Sequence, residues 1–142
     1  MGELRLSWSV LDDINADLFG GAEYVVAILS GGAVPGIYMA NLLDVPCYFV
    51  RAKGYRGRLI TEKLEFSNFD VTEDKVKNRK GLIVDDIYDT GRTLRFTRRW
   101  LHELSGVTPM CFVLVTKDPA CDVQYLMTVA PDTWVVFPWE AK

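Results

Sequence analysis

The sequence has no apolar run of the roughly 18 to 20 residues that a membrane-spanning helix requires. Its first ten residues also lack the charged and then apolar layout of a signal peptide. These absences favour a cytoplasmic protein with no membrane partner. There is no internal repeat and no low-complexity tract. At 142 residues with 49% hydrophobic side chains, the chain is expected to form one domain over residues 1–142.

Cysteine and histidine are scarce. The three cysteines, Cys47, Cys111 and Cys121, have no metal-ligand spacing and lie beside apolar residues, which predicts buried, reduced thiols. The single histidine, His102, has no suggested nucleophile partner, so we expect it near the surface. The net charge of −3 argues against nucleic-acid binding as the main task.

Short apolar and β-branched runs alternate with helical patterns along the chain. This alternation predicts an α/β fold with a mostly parallel central sheet and helices on both faces. The strands are expected at 4–6, 23–29, 46–50, 82–84, 110–116, 125–130 and 134–137, and the helices at 7–18, 35–43 and 94–104.

The stretch from about residue 54 to residue 80 has poor periodicity. A hairpin is possible, with Leu64 to Phe66 as one arm, Phe69 to Val71 as the other and a turn at Ser67-Asn68. Residues 51–80 contain nine basic and five acidic side chains. Two interpretations remain open: a solvated loop, or a basic mobile lid of about residues 54–80 that closes over an anionic ligand.

The most informative stretch is GLIVDDIYDTGRTL, residues 81–94. It predicts a buried strand that ends in the carboxylates Asp85 and Asp86, followed by a small turn and a helix. Such a turn offers backbone N–H groups, hydroxyls and a helix N-terminus to phosphate. The carboxylates suit Mg²⁺ or sugar hydroxyls. Adjacent aspartates after a strand can also be simple helix caps, but the spacing favours a phosphorylated sugar.

Other polar residues follow neighbouring strands of the predicted sheet. Ser30-Gly31-Gly32 follows one strand, and Lys117 follows another. Ligands bind at the carboxyl ends of the strands in this architecture, so these residues are expected near Asp85 and Asp86. Considered alone, the glycines could form a plain turn and Lys117 could be a solvated lysine.

Three motifs, in the right order, resemble the type I phosphoribosyltransferases. VDDIYDTGRT is similar to the motif that binds phosphoribosyl diphosphate (PRPP), and LSGGAVPG at 29–36 is similar to the pyrophosphate loop. PDTWVVFPWE at 131–140 resembles the C-terminal segment of the 6-oxopurine (xanthine-guanine and hypoxanthine) enzymes of this family. The resemblance implies transfer of 5-phosphoribosyl from PRPP to guanine, xanthine or hypoxanthine in purine salvage, with release of pyrophosphate.

The resemblance also implies a role for each matching residue. Asp85 and Asp86 would meet the ribose hydroxyls and the Mg²⁺ cofactor, and Asp89 would exchange a proton with N7 of the base. The other residues expected to bind PRPP are Leu29, Ser30, Gly31, Gly32, Thr90, Gly91, Arg92 and Thr93. In a purine-recognition segment of about residues 117–142, Lys117 would bond the 6-oxo group, Trp134 would stack on the base, and the Val135 carbonyl would meet its 2-substituent. Relatives of this kind are commonly homodimers or homotetramers.

One position departs from the family. Relatives have Arg or Lys where this chain has Ser30, so the pyrophosphate loop lacks a cation. Arg51, Lys53, Arg58 or Lys63 could compensate. The resemblance also predicts a cis peptide bond between Leu29 and Ser30. Because of the missing cation, a non-catalytic PRPP sensor of the same fold remains an alternative function.

Overall fold

The computed structural model describes residues 2–54 and 64–140. Its strands are β1 (Glu3–Arg5), β2 (Tyr24–Leu29), β3 (Cys47–Gly54), β4 (Leu64–Asn68), β5 (Gly81–Tyr88), β6 (Met110–Thr116), β7 (Gln124–Thr128) and β8 (Trp134–Val136). Its α-helices are α1 (Ala33–Leu43), α2 (Glu73–Val76) and α3 (Arg92–Ser105). None of the helices in these described ranges is both long and apolar enough to cross a bilayer.

Six strands form the central sheet, in the order β4-β3-β2-β5-β6-β7. All neighbouring pairs are parallel except β3 with β4. The apolar runs Leu82 to Val84 and Val113 to Val115, of three residues each, are completely buried, which is the pattern of strands covered on both faces. The predicted α/β fold with a mostly parallel sheet is therefore confirmed.

The core lies in two layers, one on each face of this sheet. Met39 and Ala40 of α1 pack with Val25, Leu82 and Val84 in the first layer. In the second layer, Leu94 and Leu101 of α3 pack with Val26, Ile28 and Ile83. Successive residues of β2 and β5 point to opposite layers, as the pleat requires. Helices on both faces of the sheet are confirmed.

Helix α3 follows its sequence pattern closely. Its buried residues are Leu94, Thr97, Leu101 and Ser105, which repeat at three- and four-residue intervals. Gly106 ends the helix with φ of 77°, a left-handed conformation that glycine adopts without a steric cost. Because β5 leads directly into α3, the first turn of this helix lies at the carboxyl edge of the sheet.

The predicted helix over residues 7–18 is wrong. Two 3-10 helices occupy the region instead, at Trp8–Asp13 and Ala16–Phe19. Ile14 is extended, and the Asn15 side chain accepts a hydrogen bond from the Asp17 N–H at 3.1 Å. An Asn side chain that bonds the nearby backbone competes with a continuous helix, which accounts for the break.

The predicted hairpin between Leu64 and Val71 is also wrong. Residues 64–68 form β4, which pairs antiparallel with β3 from Leu64 opposite Gly54 to Asn68 opposite Val50. The Asn68 side chain bonds both the N–H and the carbonyl of Val71, so it shapes a loop that leads away from the sheet. Local pattern did not reveal this pairing because nine residues, 55–63, separate the two strands in place of a short turn with a recognisable sequence.

This topology shortens the predicted lid at its C-terminal side. Strand β4 runs back toward the amino edge of the sheet, and residues 69–80 then lead into the start of β5. Val71 and Val76 are buried in the second core layer. Residues 69–80 therefore lie at the edge opposite the predicted site. The rest of the predicted lid includes residues 55–63, which fall outside the described residues.

A small second sheet joins the two ends of the chain. Strand β1 pairs in parallel with β8, with Leu4 opposite Val135. The Trp134 N–H also donates to the Gly2 carbonyl at 2.8 Å. Trp134 and Val135, two of the residues predicted to recognise a purine, are therefore held by residues near the N-terminus.

Candidate active site

The carboxyl edge of the central sheet brings the predicted site residues together. Residues 85–94 line a cavity of about 280 Å³ at this edge. Strand β5 supplies the acidic pair, which we define as Asp85 and Asp86. The turn that follows it, residues 89–93, is called the phosphate turn below. The loop after β2, residues 29–32, lies beside them.

The acidic pair is held by the backbone and carries unfavourable negative charge. Asp85 accepts a hydrogen bond from the Asp86 N–H at 2.8 Å, and Asp86 accepts one from the Ile87 N–H at 2.7 Å. Burial raises the pKa of Asp85 well above its usual value, and the charge of Asp86 raises it further. Burial also raises the pKa of Asp86, despite hydrogen bonds from Asp85 and Ile87 that lower it. A bound cation, or a hydroxyl group that donates a hydrogen bond, would stabilise the ionised form of these carboxylates.

The acidic pair has the chemistry of a partial Mg²⁺ site. Carboxylate oxygens are the ligands that Mg²⁺ prefers, and it is often bound through one or two carboxylates together with substrate phosphates and water. Across residues 2–54 and 64–140, no cluster of three or more His, Cys, Asp or Glu side chains is placed to bind a metal. Asp85 and Asp86 fit a metal that arrives with a phosphorylated ligand.

The loop after β2 lies directly against the acidic pair. Its Leu29–Ser30 peptide bond is cis, as predicted. A side chain at Gly31 would overlap the Asp86 carboxylate, with the added Cβ 2.7 Å from Oδ1. The Gly32 N–H donates to the Ile28 carbonyl at 2.8 Å, which anchors the loop to the end of β2. Only glycine at position 31 permits this close approach of loop and carboxylate.

A basic residue flanks the loop that lacks its expected cation. Arg51 of β3 pairs in register with Leu29 of β2, so it lies one strand away from Ser30. Its side chain is exposed. Of the other residues considered as compensation, Arg58 and Lys63 lie outside the described residues, as does the side chain of Lys53. Arg51 is therefore the described candidate for the missing charge.

The phosphate turn presents backbone N–H groups at the start of α3. Gly91 precedes the helix with φ of 79°. The Thr90 hydroxyl accepts a hydrogen bond from the Arg92 N–H at 3.4 Å, and Asp89 and Thr90 are exposed. N–H groups in the first turn of a helix have no intrahelical partner and attract anions. The turn, including Thr93, therefore has the form expected of a phosphate site.

Arg92 adds a charged side chain to the same cavity. It lines the cavity, and its Nη2 atom is buried with no hydrogen-bond partner among the described residues. A buried guanidinium nitrogen without a partner is costly. An anionic ligand would supply the acceptor.

Lys117 meets Asp89 across two neighbouring strand ends. The Lys117 Nζ lies 3.8 Å from the Asp89 Oδ2, and the backbone N–H of Lys117 donates to the Tyr88 carbonyl at 2.9 Å. The Lys117 side chain is 17% exposed, whereas the Asp89 side chain is 60% exposed. The prediction that Lys117 lies near the acidic strand end is therefore confirmed. The pair joins the phosphate turn to the end of β6.

The C-terminal segment also approaches the site. Trp134 is 63% exposed to solvent, while Val135 is buried. Repulsion from the Glu140 carboxylate adds a minor upward shift to the pKa of Asp86, which burial raises most. Glu140 also closes a turn with Phe137. The Glu140 carboxylate accepts a hydrogen bond from the Phe137 N–H, and the Glu140 N–H donates to the Phe137 carbonyl, each at 3.1 Å. Sequence reasoning missed Glu140, since nothing local connects it to residue 86.

Two further residues near the phosphate turn were also missed. Arg95 donates from Nη1 to the Tyr88 hydroxyl at 3.1 Å and to the Thr90 carbonyl at 3.0 Å. Tyr88 occupies a variable position of the motif and had no assigned role. The sequence signal for their contact was a spacing of seven residues, from Tyr88 at the end of β5 to Arg95 in the first turn of α3.

The other minor predictions have mixed outcomes. His102 is exposed, as expected. All three cysteines are free, but only Cys111 is buried, while Cys47 and Cys121 are partly buried. Trp139 stacks on Phe137, with ring centroids 5.2 Å apart.

Comparison with known proteins places this arrangement in a family. The sequence model of the family described as "Phosphoribosyl transferase domain" matches residues 5–141 of this chain. The chain is 30% identical over 139 residues to a xanthine-guanine phosphoribosyltransferase of Nitratidesulfovibrio vulgaris (strain DP4), covering 96% of this chain and 77% of that protein. It is 35% identical over 118 residues to the protein of that name from Chromohalobacter salexigens, covering 82% of this chain and 67% of the other.

A solved structure supports the same conclusion. The fold is similar to that of a purine phosphoribosyltransferase from Pyrococcus horikoshii, with a TM-score of 0.81 and 26% identity. The match covers 100% of this chain and 97% of that one.

Proposed function

The chain belongs to the phosphoribosyltransferase family, and we propose on that premise that its substrates are PRPP and a 6-oxopurine. The reaction transfers 5-phosphoribosyl to guanine, xanthine or hypoxanthine and releases pyrophosphate. We further propose that it works in purine salvage in the cytoplasm, as a homodimer or homotetramer. The support for the base comes from relatives whose names include xanthine-guanine phosphoribosyltransferase.

The observation that carries the proposal is the contact between Lys117 and Asp89. Their side-chain atoms lie 3.8 Å apart at the ends of β6 and β5. An ammonium group can donate to a 6-oxo group, and a carboxylate beside it can exchange a proton with the same base. Asp89 also belongs to the phosphate turn, so one residue connects the proposed base and sugar-phosphate sites. An adenine 6-amino group would not satisfy Lys117.

We propose the remaining roles from the family resemblance, with support from the geometry of the carboxyl edge. The phosphate turn holds the 5′-phosphate through backbone amides and the hydroxyls of Thr90 and Thr93. The acidic pair accepts hydrogen bonds from the ribose hydroxyls. The loop of residues 29–32 receives pyrophosphate beside it, and Arg51 supplies the cation that Ser30 does not. Trp134 stacks on the base, and the Val135 carbonyl meets its 2-substituent.

Asp85 and Asp86 are also the residues that would hold Mg²⁺. When bound with PRPP, Mg²⁺ neutralises charge on the pyrophosphate leaving group. The raised pKa values of both carboxylates, caused mainly by burial, indicate a position where a cation is favourable.

The protein positions the reactants and moves one proton. The bond between C1 of the ribose and the pyrophosphate oxygen breaks, and its electron pair leaves with pyrophosphate. A purine nitrogen donates an electron pair to C1, through a transition state with oxocarbenium character. Asp89 exchanges the proton at N7 while Lys117 holds the 6-oxo group. Most of the rate enhancement then comes from orientation and electrostatics.

The decisive experiment measures pyrophosphate release by the purified protein. PRPP and Mg²⁺ are combined separately with adenine, guanine, xanthine and hypoxanthine. We expect release with at least one 6-oxopurine and little with adenine. Binding of PRPP without release from any base would instead favour the non-catalytic PRPP sensor, which the absence of a cation at Ser30 suggests.

A further inference from the structure

One cluster at the end of β5 is not used by the proposed reaction. The Tyr88 hydroxyl and the Arg95 guanidinium lie 3.1 Å apart, and Arg95 also donates to the Thr90 carbonyl at 3.0 Å. Tyr88 is only 6% exposed and its ring belongs to the second core layer. The cluster therefore connects the rigid core to the backbone of the phosphate turn.

Gly91 packs directly against the side chains of Tyr88 and Arg95. Any side chain at position 91 would overlap the Tyr88 hydroxyl, and its Cβ would lie 2.6 Å from the Arg95 Nη1. The Arg95 N–H also donates to the Gly91 carbonyl at 2.9 Å. Two consecutive carbonyls of the turn, those of Thr90 and Gly91, are thus both bonded to Arg95.

The direction of these bonds has a consequence for an anion. In a trans peptide the carbonyl and the N–H of the following residue point opposite ways. Because Arg95 holds the Thr90 carbonyl, the Gly91 N–H points away from Arg95. Arg95 itself does not line the cavity of residues 85–94; it lines a groove on the outer side of α3 with Arg98, Arg99 and His102. Its side chain thus supports the turn from outside the cavity.

We propose that Tyr88 and Arg95 are positioning residues that hold the phosphate turn in its anion-binding conformation before the ligand arrives. The identity of that ligand as PRPP rests on the proposed function. Holding the turn in advance removes the ordering cost that binding would otherwise include. The Thr90 carbonyl oxygen, which would repel a phosphate, is also kept bonded to the Arg95 guanidinium.

The test uses Arg95→Met, which removes the guanidinium and keeps a long side chain. Arg99→Met is the matched control, since Arg99 is an exposed arginine of the same helix. Tyr88→Phe removes only the hydroxyl and keeps the buried ring. Arg95→Lys keeps the charge on a shorter side chain, and both bonds of Arg95 come from the distal nitrogen Nη1, so lysine should restore only part of the function.

Two measurements are made on each variant. Hydrogen exchange of residues 90–93 is followed in the ligand-free protein, and PRPP affinity is measured by calorimetry with Mg²⁺. For Arg95→Met we expect faster exchange in the turn and a PRPP Kd about tenfold higher, equivalent to about 1.4 kcal/mol. Tyr88→Phe should shift both quantities in the same direction by less, and Arg99→Met should shift neither. In turnover assays, the KM for PRPP should rise while the KM for the purine stays the same.

The outcomes separate this inference from the proposed function. Unchanged exchange and unchanged PRPP affinity in Arg95→Met would overturn the inference, even if the wild-type protein is an active transferase. An equal shift in Arg99→Met would overturn it as well. If the wild-type protein does not bind PRPP, the proposed function fails, while faster exchange in Arg95→Met alone still supports the positioning role. Should Arg95→Met not fold, Tyr88→Phe decides, and an unchanged exchange rate there overturns the inference.

Discussion

Replacement of Lys117 by methionine separates a role in base recognition from a role in stability. Methionine keeps an unbranched side chain of similar length and removes the charge. The only ion pair of Lys117 among the described residues is with Asp89, at 3.8 Å. If Lys117 is a structural residue, its replacement should lower the free energy of unfolding. If it recognises a 6-oxo group, the loss should appear in kcat/KM for the purine.

The two magnitudes differ enough to decide the question. At 3.8 Å, Coulomb's law gives about 1 kcal/mol in water and about 4 kcal/mol at an effective dielectric constant of about 20. The Asp89 side chain is 60% exposed, so the lower figure applies, and exposed pairs contribute about 0.2 to 1 kcal/mol. A hydrogen bond from a charged donor contributes about 1.5 to 3 kcal/mol, which corresponds to about 10- to 150-fold in kcat/KM.

The assay compares wild type, Lys117→Met and a matched control, Lys77→Met. Lys77 pairs with Glu73 at 3.6 Å at the opposite edge of the sheet. We expect Lys117→Met to lower kcat/KM for guanine or hypoxanthine by about 10- to 150-fold at saturating PRPP, with little change in melting temperature. Lys77→Met should leave kcat/KM unchanged. A decrease below about threefold, or about 0.7 kcal/mol, would refute base recognition by Lys117.

Three further predictions concern the other groups at this edge. Asp89→Asn should lower kcat by about 100- to 10,000-fold while PRPP affinity changes little; calorimetry and steady-state kinetics check this, and equal losses in both would contradict proton exchange by Asp89. Asp85→Asn should raise the melting temperature at pH 7 in metal-free buffer, because the pKa of Asp85 is raised in the folded state by burial. The folded state then binds more protons than the unfolded state, so wild-type stability falls as pH rises from the ordinary Asp value through the folded pKa, and the difference between the two proteins should vanish in more acidic buffer. A melting temperature equal to that of wild type at pH 7 would argue against this. Arg51→Met should raise the KM for PRPP without raising the KM for the purine, and an unchanged KM for PRPP would exclude Arg51 as the missing cation.

The sequence predicted the parts of the molecule that depend on local pattern. Strands β2, β5 and β6 are continuous apolar runs, and α3 has an amphipathic repeat that ends at Gly106. The acidic pair and Lys117 could be placed near one another because each follows a strand. Parallel strands bring such residues to one edge of the sheet.

What the sequence did not reveal depends on partners distant in the chain. The pairing of β4 with β3 replaces a local hairpin, because the preference for one partner strand over another is set by tertiary packing. Glu140 comes near Asp86 only because the C-terminal segment folds back onto the sheet. The prediction of a helix near the N-terminus was wrong for a local reason. The Asn15 side chain accepts a hydrogen bond from the Asp17 N–H, and this bond competes with a continuous helix.

The pairing of β1 with β8 has a consequence for how the protein is made. Residues 3–5 are synthesised well before their partner strand, residues 134–136, which lies about 130 residues later in the sequence. Contacts this distant in sequence carry a large loop-closure cost and tend to form late in folding. The loop and the phosphate turn proposed to hold PRPP, residues 29–32 and 89–93, can form on the growing chain before Trp134 is synthesised. We therefore expect nascent chains that end before residue 134 to acquire the sugar-phosphate part of the site, together with Lys117, but without the proposed base contacts of Trp134 and Val135.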